Sequence, residues 1–157
     1  VIRKAAEADI AQIAAIGSRA WASSIFSFEE ERPGMRTHVE KAFAGFAREY
    51  YETVLVAETE QGLAGWGARE TRNEYISDLW VEPALHGLGT GTLLLRALKA
   101  EIRAAGHRQA RISTHARNRR GIALYQREGF VIVEQKLEWS TSLEREIEKV
   151  SMIAEPV

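Results

Sequence analysis

Hydrophobic and polar positions along this chain repeat with two different periods, and each change of period marks an element. Residues 1–4 are long enough only for a short strand. Glu7 and Asp9 stand where acidic side chains favour a helix start. Ile10, Ile13, Ala14, Gly17 and Trp21 then recur at helical spacing, so residues 8–21 predict an amphipathic helix. The pattern dissolves over 23–34, where Phe26 and Phe28 precede Glu29-Glu30-Glu31 and Pro33-Gly34, which predicts a loop carrying aromatics and acids. Val39, Phe43, Phe46 and Tyr50 fall on one face of a second helix over 35–51.

The period then shortens. Residues 54–57, 63–69 and 75–81 read as three strands, the first two separated by a Gln61-Gly62 turn, and together they predict an antiparallel meander. Strict alternation slips between Ile76 and Leu79, where polar Ser77 and Asp78 are adjacent. That slip is the mark of a β-bulge, which leaves a backbone group unpaired. Past Pro83 comes His86-Gly87-Leu88-Gly89-Thr90-Gly91, and behind it a helix from Thr92 to about Ala105. Leu94, Leu98, Ile102 and Ala105 point inward on it, Arg96, Lys99 and Arg103 form a solvated stripe, and Gly106 ends it. Residues 109–114 form a strand expected to lie parallel beside the third, because a helix joins the two. Asn118 is placed to cap a helix over 119–128 that Gly129 ends. Strands over 130–139 and 147–154, joined by a polar turn, finish the chain. No repeat, linker or low-complexity stretch interrupts it, so residues 1–157 predict a single mixed α/β domain.

Composition narrows the function more than the fold. The chain of 157 residues is enough for one domain that buries roughly 70% of its unfolded surface. A net charge of -1 removes the electrostatic case for nucleic acid or an anionic membrane. The absence of cysteine excludes a disulfide framework, a thiolate nucleophile and a cysteine zinc site. The four histidines show no ligand spacing, so no metal is expected. No apolar run approaches a membrane span, and the charged segment after Val1-Ile2-Arg3-Lys4 is unlike a signal peptide. A cytoplasmic location is the expectation.

The candidate chemistry lies between residues 74 and 95. Strand, glycine-rich turn and helix make an anion site, because glycines let the backbone come close and the first amides of a helix lack internal partners. A Walker loop is excluded, since no lysine follows Gly91. A dinucleotide fold is also excluded, since the glycines fall as Gly-x-Gly-x-Gly and the next strand ends in Ser113-Thr114-His115 without an acid. A tight strand-to-helix connection with no ligand stands as the plainer alternative.

Two segments together resemble a known family. His86-Gly87-Leu88-Gly89-Thr90-Gly91 resembles the Gln/Arg-x-x-Gly-x-Gly/Ala signature of the GNAT acetyltransferase superfamily, with His86 as a departure from the usual arginine or glutamine. Asn118, Ala123, Tyr125 and Gly129-Phe130 resemble its second motif, and the order of elements over nearly the whole chain is similar. The resemblance implies an α+β fold, a mixed, mostly antiparallel sheet splayed between strands four and five and flanked by about four helices. Acetyl-coenzyme A would lie in the splay. The amides of Gly87, Leu88, Gly89, Thr90, Gly91 and Thr92 would bind its pyrophosphate, with His86 adding a side-chain contact. Backbone groups of Leu79, Trp80 and Val81 would pair with the pantetheine arm as an added strand does. Asn118 would hold the same arm, and Arg127 or Arg120 would reach the outer phosphates.

The implied activity is acetyl-CoA-dependent N-acetyl transfer to a primary amine of a small molecule or peptide, by direct attack on the thioester. Tyr125 is then the donor to the leaving sulfur. Reference values of about 10 for tyrosine and about 8.5 for a thiol make full proton transfer uphill by roughly 2 kcal/mol, so a hydrogen bond is the expected contribution. Asp78 is the first choice of general base, with Glu74 on the same strand and Glu82 just past it as the others. In similar proteins Trp21, Phe26 and Phe28, with Glu29, Glu30 and Glu31, occupy the acceptor side. Acids beside aromatics would suit a cationic amine, whereas a solvated acidic loop is the plainer reading. Two alternatives stay beside this one: Tyr125 as an ordinary core tyrosine, and a non-catalytic acyl-CoA sensor or interaction module on the same fold. A homodimer is left open.

Overall fold

Eight strands form two four-stranded sheets, and the sheets part at a single broken strand. The computed structural model describes residues 1–157. In chain order the elements are β1 (Ile2–Lys4), α1 (Ile10–Ile25), α2 (Met35–Tyr50), β2 (Val54–Thr59), β3 (Gly62–Ala68), β4 (Tyr75–Ile76) and β5 (Asp78–Val81). They continue with α3 (Thr90–Ala104), β6 (Ala110–His115), α4 (Arg119–Arg127), β7 (Val131–Ser140) and β8 (Arg145–Ala154). The first sheet runs β1-β2-β3-β5 and is antiparallel throughout. The second runs β4-β6-β8-β7, antiparallel except where β4 meets β6.

The third strand of the sequence reading is therefore two strands. At the break, the Ser77 amide donates to the Ala68 carbonyl (3.0 Å), although Asp78 is the residue that partners Ala68 in the ladder. Two residues oppose one, which is the bulge that the lost alternation predicts. The Ser77 hydroxyl fixes the distortion by accepting the Glu70 amide (3.0 Å). A bulge bends and twists its strand, and here it turns β4 into one sheet and β5 into the other. The expected parallel pairing with the 109–114 strand consequently holds only for Tyr75 and Ile76, opposite Arg111 and Ile112.

Helices fill the space on either side. Leu94, Leu98 and Ile102 of α3 are fully buried among Ile76, Ile112 and Met152, each contributing about 2 kcal/mol by leaving water. The helix comes very close to β3, because a Cβ on Gly67 would lie only 2.7 Å from a methyl of Leu98. On the opposite face, Ile13, Ile16 and Ala47 of α1 and α2 pack over Val56 and Trp66. A third cluster joins Trp21, Met35 and Val39 to Leu143 and Ile147 at the tip of the β7–β8 hairpin. It explains why α1 continues to Ile25, four residues beyond the sequence expectation. The hairpin tip supplies apolar partners that the local pattern of α1 does not show. No helix is long and apolar enough to cross a membrane.

Candidate active site

Where the sheets part, β5 keeps one edge free. Its only ladder partner is β3, with Trp80 opposite Trp66 and Val81 opposite Gly65. The Glu82 amide donates to Ala64 O (2.8 Å), so Ala64–Glu82 and, two residues on, Trp66–Trp80 are the doubly hydrogen-bonded pairs. Leu79 and Val81 consequently turn their N–H and C=O groups away from β3, into the gap. A cleft of about 450 Å³ opens along this edge, walled by β5, the glycine loop, α3 and α4.

The glycine loop closes one end of the cleft. Gly87 and Gly89 have φ of 82° and 85°, in the left-handed region, and a Cβ on either would meet no heavy atom within 4 Å. The first requirement selects glycine. The second leaves open space directly above the backbone. Gly89 is the N-cap of α3 and offers no side chain to the helix. The first helical bond runs from the Leu93 amide to Gly89 O (3.1 Å), so the amides of Thr90, Gly91 and Thr92 have no internal partner.

His86, which the resemblance sets toward the phosphates, has both ring nitrogens in contact with groups of the protein. Its Nε2 lies 3.1 Å from the Val81 carbonyl, and its Nδ1 contacts the Arg120 guanidinium. A carbonyl only accepts and a guanidinium only donates, so these contacts call for a donor at Nε2 and an acceptor at Nδ1. His86 thus braces Arg120 at the cleft and has no free nitrogen for a phosphate. Arg120 and Arg127 both line the cleft.

Tyr125, on α4, is buried with its ring edge on Phe130 (6.2 Å between centroids), and its hydroxyl reaches the cleft without a hydrogen-bond partner in the chain. Burial, reinforced by nearby Tyr75, pushes the phenol above its ordinary range, so it is a proton-bearing donor. Asn118 caps α4: its Oδ1 accepts the Gly121 amide (3.1 Å) and its Nδ2 donates to Thr114 Oγ1 (2.9 Å). It also lines the cleft.

The two candidate bases differ in placement. Asp78 lies at the bulge, where Trp80 Nε1 donates to its Oδ1 (3.0 Å). Burial raises its carboxyl from 3.8 to about 6, against the opposing hydrogen bonds from Trp80 and Ser77. It does not line the cleft, which begins at the next residue, Leu79. Glu74 is also outside the cleft, engaged by Arg111 (3.2 Å) and 3.8 Å from His107. A hydrogen bond from its own backbone amide, helped by Arg111, holds it below the usual glutamate range. A carboxylate so stabilised is a poor proton acceptor.

Residues 50–132 match the family model of the acetyltransferase (GNAT) domain. The chain belongs to the GNAT acetyltransferase family. Its fold is similar to that of the ribosomal-protein-S18-alanine N-acetyltransferase from Escherichia coli, with TM-score 0.73 and 21% identity over 99% of this chain and 93% of that one. It is similar to the PaiA N-acetyltransferase from Thermoplasma acidophilum in complex with coenzyme A, with TM-score 0.67 and 17% identity over 99% and 98%. YncA from Salmonella typhimurium, solved with its cofactor acetyl-CoA, gives TM-score 0.71 and 23% identity over 100% and 94%. No curated protein sequence matches the chain.

Coenzyme A fits what this GNAT chain leaves unpaired. Its pyrophosphate suits the free amides and open space over Gly87 and Gly89, and its pantetheine amides suit the outward groups of Leu79 and Val81. The acidic loop, in contrast, is not turned toward the cleft. Glu29 is held between His115 Nε2 (3.0 Å) and Arg145, and Glu31 pairs with Arg36 (2.7 Å). The sequence reading also missed Ala20 and Ser24 of α1, which line the cleft, and the His86–Arg120 brace. Nothing local signals either, since both depend on which distant segments meet.

Proposed function

We propose that this GNAT acetyltransferase transfers the acetyl group of acetyl-CoA to a primary amine of a small molecule or peptide, with residues 1–157 acting as one unit. The observation that carries this reading is the unpartnered Tyr125 hydroxyl, held in a buried position beside the free edge of β5. A pure acyl-CoA binder has no need of a donor there. The thioester supplies an activated acyl carbon; the chain supplies position, polarisation and proton handling.

The amides of residues 87–92, with Arg120 and Arg127, hold the phosphates, and Leu79 and Val81 align the pantetheine arm. The outward Leu79 amide donates to the acyl oxygen as negative charge builds on it. The acceptor nitrogen bonds to the acyl carbon, the carbon–sulfur bond breaks with its electron pair on sulfur, and the surplus proton leaves the nitrogen. Tyr125 hydrogen-bonds the departing sulfur. Asp78, one residue from the cleft, takes the nitrogen's proton through water; Glu74, already ion-paired, is the weaker choice. A homodimer would use β7, an edge strand with Val131, Val133, Leu137 and Trp139 exposed.

Thiol release from acetyl-CoA with a panel of amines tests the activity. Tyr125→Phe should lower kcat by roughly tenfold or more while leaving the acetyl-CoA Kd within about twofold. An unchanged kcat, with chemistry shown to be rate-limiting, removes Tyr125 from the mechanism. With Asp78 as base, kcat/KM should rise through about pH 6, and Asp78→Asn should lose that limb. The same group gives a stability signature. The native state holds the Asp78 proton to higher pH than the unfolded chain, so stability falls as pH rises from 3.8 to about 6. Asp78→Asn should remove that slope, on the order of 1–2 kcal/mol given the residue's partial exposure.

A further inference from the structure

Beside the cleft lies a second cavity of about 560 Å³, between the end of α1 and the start of α4. It shares Ser24, His86, Asn118 and Arg120 with the cleft, so the two spaces adjoin. Its remaining wall is Ser23, Ser27 and Phe28 on one side and Arg117 and Arg119 on the other. Only Phe28 is hydrophobic, and no carboxylate is present in the wall.

The charge around this cavity is unbalanced. Of the nearby acids, Glu29 is committed to His115 and Arg145, Glu31 to Arg36 and Glu82 to Arg19 (2.6 Å), while Glu30 carries no ion pair and does not line the cavity. The arginines are not so committed. Arg117 donates only to the Phe28 carbonyl (2.9 Å), with its guanidinium 5.7 Å over the Phe28 ring. Arg119 makes no side-chain hydrogen bond in the chain, and Arg120 meets only the His86 imidazole. Arg117 and Arg119, with Arg120 at the border shared with the cleft, therefore line one space whose wall carries no carboxylate. Of the last carbonyls of α1, those of Ala22, Ser24 and Ile25 are occupied by the amides of Phe26, Ser27, Phe28 and Glu29, which leaves only the Ser23 carbonyl without a backbone donor. Nor is the wall loose. Phe28 packs on His115 with 4.4 Å between ring centroids and the planes tilted by 47°, and Glu29 ties the segment to β6 and β8.

We propose that this cavity is an anion subsite for the acceptor, holding a phosphate or carboxylate group on the amine that the cleft acetylates. The proposal rests on the acetyl-transfer reading and adds the class of its acceptor. Guanidinium groups present a planar fork that matches either anion, and serine hydroxyls supply the further donors a tetrahedral or planar oxyanion group accepts. The expected attraction of Glu29, Glu30 and Glu31 for a cationic acceptor is replaced by its opposite, because the paired acids are turned away and the arginines are not. The cofactor's own phosphates are assigned to Arg120 and Arg127, which line the cleft. Arg117 and Arg119 line only the second cavity.

Matched acceptors decide the question: ethanolamine against O-phosphoethanolamine, and phenethylamine against phenylalanine, at low ionic strength. The anionic member of each pair should show roughly tenfold higher kcat/KM, the scale of one hydrogen bond to a charged group. Arg119→Ala should erase the preference, Arg119→Lys should keep part of it, and neutral amines and the KM for acetyl-CoA should be unmoved. Equal rates within each pair overturn the proposal. So does an Arg119→Ala or Arg117→Ala variant that weakens acetyl-CoA but not its 3′-dephospho form, which would give the cavity to the cofactor. A binding arm keeps the result separate from turnover. O-phosphoethanolamine titrated into the coenzyme A-saturated protein should bind saturably, and Arg119→Glu should abolish it. If no amine of either kind is acetylated, the acetyl-transfer reading falls. Saturable, Arg119-dependent binding would then still support the subsite, and its absence would overturn it.

Discussion

α3 and α4 both begin on the cleft, and they begin in opposite ways. α3 starts from Gly89, which provides no side-chain cap, so its first amides point into open space. α4 starts from Asn118, whose side chain satisfies the Gly121 amide and is itself anchored to Thr114. A helix that offers its backbone to a ligand must leave its own donors unsatisfied, and glycine does that at the least steric cost. A helix that offers side chains has to be pinned first. Arg120, Leu124 and Arg127 fall at helical spacing along one flank of α4, with Tyr125 beside them, and all four line the cleft. Under the proposed function, phosphate recognition and leaving-group chemistry are divided between a helix that is open at its start and one that is closed.

The strongest way to break this division is to close α3. Ala at Gly87 and Gly89 must adopt a left-handed conformation that costs about 1–2 kcal/mol per residue, and its methyl groups enter the space over the free amides. Each substitution should weaken acetyl-CoA by about tenfold, and both together by about a hundredfold. Calorimetry that finds affinity within twofold of wild type would detach the loop from the phosphates. Opening α4 should have a smaller and different effect. Asn118→Ala removes the cap at about 1 kcal/mol, lowering Tm by about 2–4 °C. The loss in acetyl-CoA affinity should stay below that of the glycine pair; the reverse ranking would put the cofactor on α4. His86→Ala should matter least, because it releases Arg120 and the Val81 carbonyl but leaves every loop amide in place. A several-fold loss, about 1 kcal/mol or less, is expected. A loss approaching that of the glycine pair would make His86, and not the backbone, the main phosphate determinant.

Both helix starts were legible in the sequence, because each is written within a few residues. The glycines at 87, 89 and 91 and the apolar stripe through Ile102 announce α3, and Asn118 announces the cap of α4. The bulge was legible too, since two adjacent polar residues in a strand leave no other way to restore alternation. The surroundings of His86 were not legible, for the opposite reason. Its spacing matches a signature position, yet its partners are Val81, across the Pro83 turn, and Arg120, 34 positions away.

The sequence by itself determined the elements, the glycine loop and the helix that carries Tyr125, because hydrogen bonds and periodic burial within each segment specify them. Tertiary structure decided how charge is distributed around them. Whether Glu29 attracts an acceptor or neutralises the protein's own groups depends on His115, 86 residues away, and Arg145, 116 residues away. Whether β4 and β5 stay one strand depends on which sheet each half can reach once Ser77 breaks the ladder. Such partners carry no local signature. A carboxylate or an arginine reads the same along the chain whether or not the fold brings it a counter-charge, and the energy of an ion depends on that meeting.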